Sequence, residues 1–229
     1  MMECVQTLWK QMINFLFPLR CICCGRMLDT DAEISLCNQC HPVVFTRYVE
    51  PRAFEKKFFD RVYCVADYTG HVRRAVLKYK FGNARYLANT FGTLIAERIQ
   101  KNVPKTAFDL VTCVPLSPGR LKERGFNQSA DIAKVVANIF GIPFEPDMLI
   151  KVKELSPLSK MPAAERRKRV RGAYRFCENC EITKKRILLI DDIYTTGATI
   201  DECAKVLCMY GAASVTAAAM CAAVHKISR

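Results

Sequence analysis

Histidine and tryptophan are scarce in this 229-residue chain, with three of the first and one of the second, and acidic residues number 22 against 35 lysines and arginines. With His71 and His225 each standing alone in the sequence, nothing points to a nucleophile–histidine–acid triad. Long apolar runs are missing too: Met12 to Phe17 falls far short of the ~20 residues a membrane helix needs, and no other run qualifies. Membrane insertion is therefore not expected. The N-terminus places Glu3 before its first basic residue, Lys10, and has no small-residue cleavage site, so it does not read as a secretory leader. The 13 cysteines then belong in a reducing, cytoplasmic compartment rather than in a disulfide scaffold. The shortage of acid leaves a net charge of +13, which favours polyanionic partners, either phosphates or nucleic acid. No repeat or low-complexity segment interrupts the chain, and its 51% apolar content is enough for a sizeable core.

What is present divides the chain. Val5, Leu8, Trp9, Met12, Ile13 and Leu16 fall at helical spacing before Pro18, as in a short packing helix. Residues 54–68 suggest one or two strands. Two helices follow, with Val72, Ala75, Val76 and Tyr79 on one face and Leu87, Phe91, Leu94 and Ile95 on the other's. After Pro104 strands and helices alternate: Leu110–Val114, a helix from Gln128 with Ile132, Val135, Val136 and Ile139 inward, then Ile187–Ile190, a helix with Ile200, Cys203, Ala204 and Leu207 inward, and Ser214–Met220. Leu149–Val152 and Tyr174–Phe176 are weaker strand candidates. This order predicts an α/β fold, a mostly parallel sheet with helices on both faces. The expected organisation is an N-terminal helix and cysteine ribbon over 1–50, a linking α+β region over 51–105 forming part of a hood, and the main α/β domain over 106–229.

The most informative stretch runs from Ile187 to Thr199. A buried strand delivers Asp191 and Asp192 to its carboxyl end, the edge where open parallel sheets bind ligands. Two ionised carboxylates accept hydrogen bonds from the vicinal hydroxyls of a ribose or from a metal and its waters. Thr195, Thr196, Gly197, Ala198 and Thr199 then open a helix, where backbone N–H groups, hydroxyls and the helix dipole suit a phosphate. Helix capping would account for one Asp or one Thr, but not for all of them. The pattern looks like the phosphoribosyl-diphosphate signature of type I phosphoribosyltransferases, which implies that fold, Asp191 and Asp192 on the ribose hydroxyls, and residues 195–199 on the 5-phosphate.

The loop leaving the first strand of that domain, Pro115 to Gln128, borders the same crevice and carries Arg120, Lys122 and Arg124. On charge alone it is as readily a solvated basic loop, but its position favours contact with a diphosphate, for which arginine offers a matching fork of donors. Val114-Pro-Leu-Ser-Pro118 followed by Arg120-Leu-Lys-Glu-Arg-Gly-Phe-Asn-Gln128 is similar to the ComF competence-protein family, as is Tyr79-Lys-Phe-Gly82. The resemblance spans nearly the whole chain. It implies a zinc ribbon joined to a phosphoribosyltransferase domain, phosphoribosyl diphosphate with Mg²⁺ as ligand, catalytic use of Asp191, Asp192, Arg120 and Arg124, and a role in DNA uptake during natural transformation. Single-stranded DNA and the DNA-uptake or helicase machinery are the partners it implies.

Between Lys151 and Arg175 stand nine basic and two acidic residues, concentrated in Arg166, Arg167, Lys168, Arg169 and Arg171. A basic lid over a departing diphosphate and a groove for nucleic-acid backbone explain this charge equally well. Leu158 and Arg169 stand where the ComF family typically carries Gln and Asn, a departure that separates binding from turnover. The alternative function is accordingly a non-catalytic single-strand binder that keeps the sugar-phosphate pocket.

Cys21 with Cys24 and Cys37 with Cys40 form two CxxC pairs twelve residues apart, the spacing of a closed tetrahedral structural zinc site. A redox pair is the alternative, but it usually comes alone. Cys23 and His41 are neighbours rather than ligands in this reading. Cys177 and Cys180 make a third CxxC with no second pair beside it.

Overall fold

The computed structural model describes residues 18–46, 57–154 and 163–223. The expected N-terminal helix lies outside the described residues, as do residues 54–56 of the stretch expected to form one or two strands. A four-stranded, wholly parallel sheet has the order β1-β6-β5-β2, built from β1 (Arg61–Asp67), β2 (Leu110–Cys113), β5 (Arg186–Tyr194) and β6 (Ser214–Ala222). Ile187–Ile190 are fully buried because β5 is central and covered on both faces, which is why the run is continuously apolar rather than alternating. β1 completes the edge beyond β6, so the segment before residue 106 contributes a strand to this sheet.

Helices cover both faces, as expected. On one side lie α2 (Gly70–Phe81), α3 (Leu87–Gln100) and α5 (Gln128–Phe140), whose buried residues merge with Val111, Cys113, Leu188, Ile190, Ala218 and Met220. On the other, α7 (Ala198–Met209) packs Ile200, Cys203, Ala204 and Leu207 onto Leu189, Ala217 and Ala219. That face also carries a two-stranded antiparallel sheet, β3 (Leu149–Lys151) with β4 (Tyr174–Phe176), which makes strands of both weak candidates. α5 turns Ile132, Ala133, Val136, Ala137 and Phe140 fully inward, while Val135 and Ile139 are only partly buried. Val135 serves the contact with α3.

That contact is close enough to constrain the sequence. A Cβ on Gly92 of α3 would lie 2.5 Å from the Val135 Cβ and 3.1 Å from the Ile132 carbonyl oxygen. Gly92→Ala is therefore expected to destabilise the fold by about 1–3 kcal/mol through overpacking, more than the ~1 kcal/mol of helix propensity it gains. Chemical denaturation should show the loss, and Val135→Ala in the same chain should recover part of it.

Two basic stretches read as irregular contain helices. Pro118–Arg124 forms α4, with Pro118 in its first turn and Gly125 closing it at φ 76°. Ala163–Val170 forms α6, anchored by the buried Val170. The N-terminal ribbon is followed by the short helix α1 (His41–Thr46). It packs Cys21, Leu36 and Val44 into the same core as α3, and three hydrogen bonds fasten it there: Ser35 N–H to Thr90 Oγ1 at 2.8 Å, Asn89 Nδ2 to the Glu33 carbonyl at 2.6 Å, and His41 Nε2 with Glu97 Oε2 at 2.8 Å. No helix among the described residues is long and apolar enough to cross a membrane.

Candidate functional site

β5 continues four residues past Ile190, paired on one side only. Its register with β6 runs on to Tyr194 opposite Ala222, whereas β2 ends at Cys113 opposite Ile190. Asp191 and Asp192 therefore stand on the carboxyl edge where one neighbour has stopped, which opens a crevice beside them. Asp191 Oδ1 accepts from Ser129 Oγ at 3.1 Å and from the Asp192 N–H at 2.8 Å. Burial and the adjacent Asp192 charge push the Asp191 carboxyl well above the usual carboxylate range. Asp192 Oδ2 lies 2.7 Å from Lys80 Nζ, both side chains being about 15% exposed.

The strand then turns into α7 at Gly197, which has φ 74°. A Cβ there would sit 2.9 Å from the Tyr194 hydroxyl, so backbone conformation and close approach both require glycine. The Ala198 N–H reaches Thr196 Oγ1 at 3.4 Å, and Thr199 lies against the phenol of the buried Tyr174. Thr195 is exposed at the mouth of the turn. The loop thus presents the first amides and hydroxyls of a twelve-residue helix next to the acid pair.

Across the crevice, Asn127 Oδ1 caps α5 by accepting from the Ser129 N–H at 3.1 Å, while its Nδ2 holds the Val114 carbonyl at the exit of β2. Arg124 donates from Nη1 to Gln128 Oε1 at 2.8 Å and covers the exposed Phe81 ring at 5.0 Å. Arg124 Nε and Gln128 Nε2 are buried donors without a partner among the described residues. The Glu154 carboxylate accepts from Ser117 Oγ at 2.7 Å and from the Gly119 N–H at 3.0 Å, binding the start of α4 to the chain leaving β3. Those two donors hold the Glu154 carboxyl below its ordinary range.

The structure thus brings Asp191, Asp192, Arg124 and the 195–199 turn to one edge of the sheet. Ser129 and Glu154 were absent from the residues singled out by sequence, and Lys80, which belongs to the Tyr79–Gly82 stretch, was not expected to meet Asp192. Arg167, Lys168, Arg169 and Arg171 are exposed on α6 and the turn after it, with Arg169 Nε 3.9 Å from Glu165 Oε1. Leu158 and the side chain of Arg166 lie outside the described residues.

The ligand atoms of Cys21, Cys24, Cys37 and Cys40 all fall within 4.8 Å of one another, and the Cys24 and Cys37 sulfurs are 3.9 Å apart. Four sulfurs about 2.3 Å from a tetrahedral zinc would be about 3.8 Å apart, so the cluster could hold such an ion. Burial alone would raise the Cys21 thiol, but the N–H groups of Cys24, Cys37 and Cys23 and the Cys24 thiol bring it down to about 6, favouring a thiolate. His41, engaged with Glu97, is not part of the cluster.

A parallel α/β sheet carrying an acid pair and a glycine-capped turn at its carboxyl edge, with a four-cysteine ribbon packed alongside, is a phosphoribosyltransferase-like fold with an added ribbon. The chain is similar to proteins named for DNA utilization and for competence. It is 26% identical over 206 residues to DNA utilization protein YhgH of Salmonella typhimurium, covering 88% of this chain and 89% of that protein. Competence protein F of Haemophilus influenzae is 24% identical over 215 residues, covering 86% and 93%, and competence protein ComFC of Streptococcus pneumoniae is 36% identical over 140 residues, covering 60% and 57%. No protein-family model matches the chain. Among solved structures, glutamine phosphoribosylpyrophosphate amidotransferase from B. subtilis is similar at a TM-score of 0.41 and 23% identity, covering 62% of this chain and 30% of that one. Adenine phosphoribosyltransferase from Thermoanaerobacter pseudethanolicus is similar at 0.37 and 16%, covering 60% and 70%.

Proposed function

We propose that the protein is a ComF-type member of DNA-uptake or DNA-utilization systems that binds phosphoribosyl diphosphate at the Asp191–Thr199 edge. The observation that carries this reading is the placement of Asp191 and Asp192 immediately beyond the end of β2 pairing, on the strand that turns into α7 at the Gly197 cap. The carboxylates accept from the ribose hydroxyls, and the 195–199 turn receives the 5-phosphate. A magnesium ion accompanying the diphosphate fits this edge, because Asp191 has no cation within ion-pair distance among the described residues and accepts only from a hydroxyl and an amide. Bound there, the ion would neutralise diphosphate oxygens.

In phosphoribosyl transfer an acceptor lone pair forms a bond to the ribose C1 as the C1–oxygen bond breaks and its electron pair leaves with the diphosphate. The residues present would hold the ribose by its hydroxyls and set cations near the departing oxygens; none needs to act as a nucleophile. Asp191→Asn with Asp192→Asn is expected to weaken phosphoribosyl-diphosphate binding at least tenfold, about 1.4 kcal/mol, by removing charged acceptors. Calorimetry on the double variant measures it, and unchanged affinity would mean the ligand is wrongly assigned. The ribbon cysteines hold zinc in this reading, and the exposed basic face of α6 binds the backbone of single-stranded DNA.

A further inference from the structure

The third CxxC, Cys177-Glu-Asn-Cys180, plays no part in the site above, and it is built as a turn. Cys177 follows β4 directly, and its N–H donates to the Met148 carbonyl at 2.9 Å, which extends the β3–β4 pairing. The Cys180 N–H donates back to the Cys177 carbonyl at 3.1 Å, with Glu178 and Asn179 exposed at the tip. Beyond the turn, Ile182 is buried and fixes its far side. A hydrogen-bonded turn of this kind holds its first and fourth Cα atoms within about 7 Å, and a disulfide spans roughly 4.4–6.8 Å between Cα atoms. Both cysteines are unbridged thiols, partly exposed.

Metal binding, a structural staple and reversible thiol chemistry compete for such a pair. A closed metal site needs four ligands, and among the described residues the ribbon is the only place where three or more metal-ligating side chains converge. The charges of Glu145 and Asp147 act on Cys180, but these carboxylates do not converge with the two sulfurs. A staple fits no better, because a bridge closing so short a loop removes little entropy from the unfolded chain. We infer that Cys177 and Cys180 form a dithiol–disulfide site, oxidised and reduced by exchange with a small-molecule disulfide of the glutathione class.

Cys180 packs against the core on the α7 side of the sheet, and burial, then the charge and hydrogen bond of Cys177, raise its thiol above the ordinary range. Cys177 is therefore the attacking sulfur. Its thiolate bonds to one sulfur of oxidised glutathione, whose S–S bond breaks and releases one glutathione thiolate. The Cys180 thiolate then bonds to the Cys177 sulfur and expels the second glutathione. Two protein thiols are thus oxidised to one disulfide, the glutathione disulfide is reduced to two thiols, and the two protons lost by the protein are taken up by the departing thiolates. The bridge ties the end of β4 to the lead into β5. At the other end of β4, Tyr174 lies against Thr199, but the inference does not depend on what that turn binds.

The full chain, with zinc present, can be equilibrated in a graded series of reduced and oxidised glutathione, quenched with an alkylating agent and digested with trypsin. Both cysteines lie between Arg175 and Lys184, so the bridge appears in mass spectra as that peptide without either alkyl group. It is expected to rise from absent to nearly complete across the series and to reverse in excess reduced glutathione. In Cys180→Ser the reaction should stop at the mixed disulfide, with glutathione retained on Cys177. In Cys177→Ser the adduct on Cys180 should form at least about tenfold more slowly, because that thiol resists ionisation. Full alkylation of Cys177 and Cys180 in the most oxidising buffer would overturn the assignment. So would a second zinc per chain that is lost in either serine variant, since the pair would then be a metal half-site.

Discussion

Replacing Cys37 and Cys40 by serine is expected to reduce bound zinc from one per chain to near zero and to unfold the ribbon. The reason is that two thiolates cannot close a tetrahedral structural site, and in small zinc modules the apparent metal-binding free energy, roughly 10–16 kcal/mol at neutral pH, is also their folding free energy. The ribbon has little else to hold it. Its described backbone pairing is sparse, made of turns, the Arg20–Met27 bridge and the Ile22 N–H to Ser35 carbonyl bond, and among its described apolar residues Cys21, Leu36 and Val44 are fully buried in the α3 core while Ile22, Leu28 and Ile34 are only partly so. Loss of metal should therefore release the Ser35–Thr90, Asn89–Glu33 and His41–Glu97 bonds together. Hydrogen exchange would show amides of residues 20–40 losing protection while those of β5 and β6 keep theirs. Metal analysis of wild-type protein purified without added zinc is the companion measurement, and a stoichiometry near zero with the ribbon still protected would sink the zinc assignment.

The parts of the site carried by one continuous stretch of chain were legible in the sequence. Ile187–Ile190, the acid pair and Gly197 are read directly because the apolar run, the carboxylates and the positive-φ glycine follow one another within a single strand and turn. The ribbon was legible for the same reason, since each knuckle is local and the spacing between knuckles is fixed. Contacts between distant segments left no such trace. Lys80 meets Asp192 only because α2 ends over the carboxyl edge of β5, and nothing near either residue announces the pairing. Glu154 caps α4 across 35 residues, which is part of why Pro118–Arg124 is helical although its basic residues obscure any apolar face. Ala163–Val170 was illegible for a different reason. Of its described side chains only Val170 is buried, so helical periodicity in hydrophobicity is absent, and the turn after it is held from outside by Glu202 accepting from the Gly172 N–H at 2.6 Å. On α5, the expected inward positions Val135 and Ile139 lie at the margin of the face, because Gly92 draws α3 in against Val135 and Phe140 stacks on Phe108 at 6.2 Å.

Reversing the charge of Arg166, Arg167, Lys168, Arg169 and Arg171 is expected to weaken single-stranded DNA binding and to make its salt dependence shallower. Arg167, Lys168, Arg169 and Arg171 are exposed along α6 and its following turn, where a polyanion can reach several at once. Each phosphate neutralised on a single strand releases counterions and contributes about −0.7 to the slope of log affinity against log salt, so losing three contacts should reduce the slope by roughly two. The effect should not depend on base sequence, because backbone charge is what is being met. Fluorescence anisotropy with labelled oligonucleotides across a salt series measures both quantities. The same variant separates DNA binding from a lid function over diphosphate: a lid alone would lose turnover while DNA affinity and its salt slope stayed at wild-type values. That outcome would remove the DNA-binding role assigned to α6.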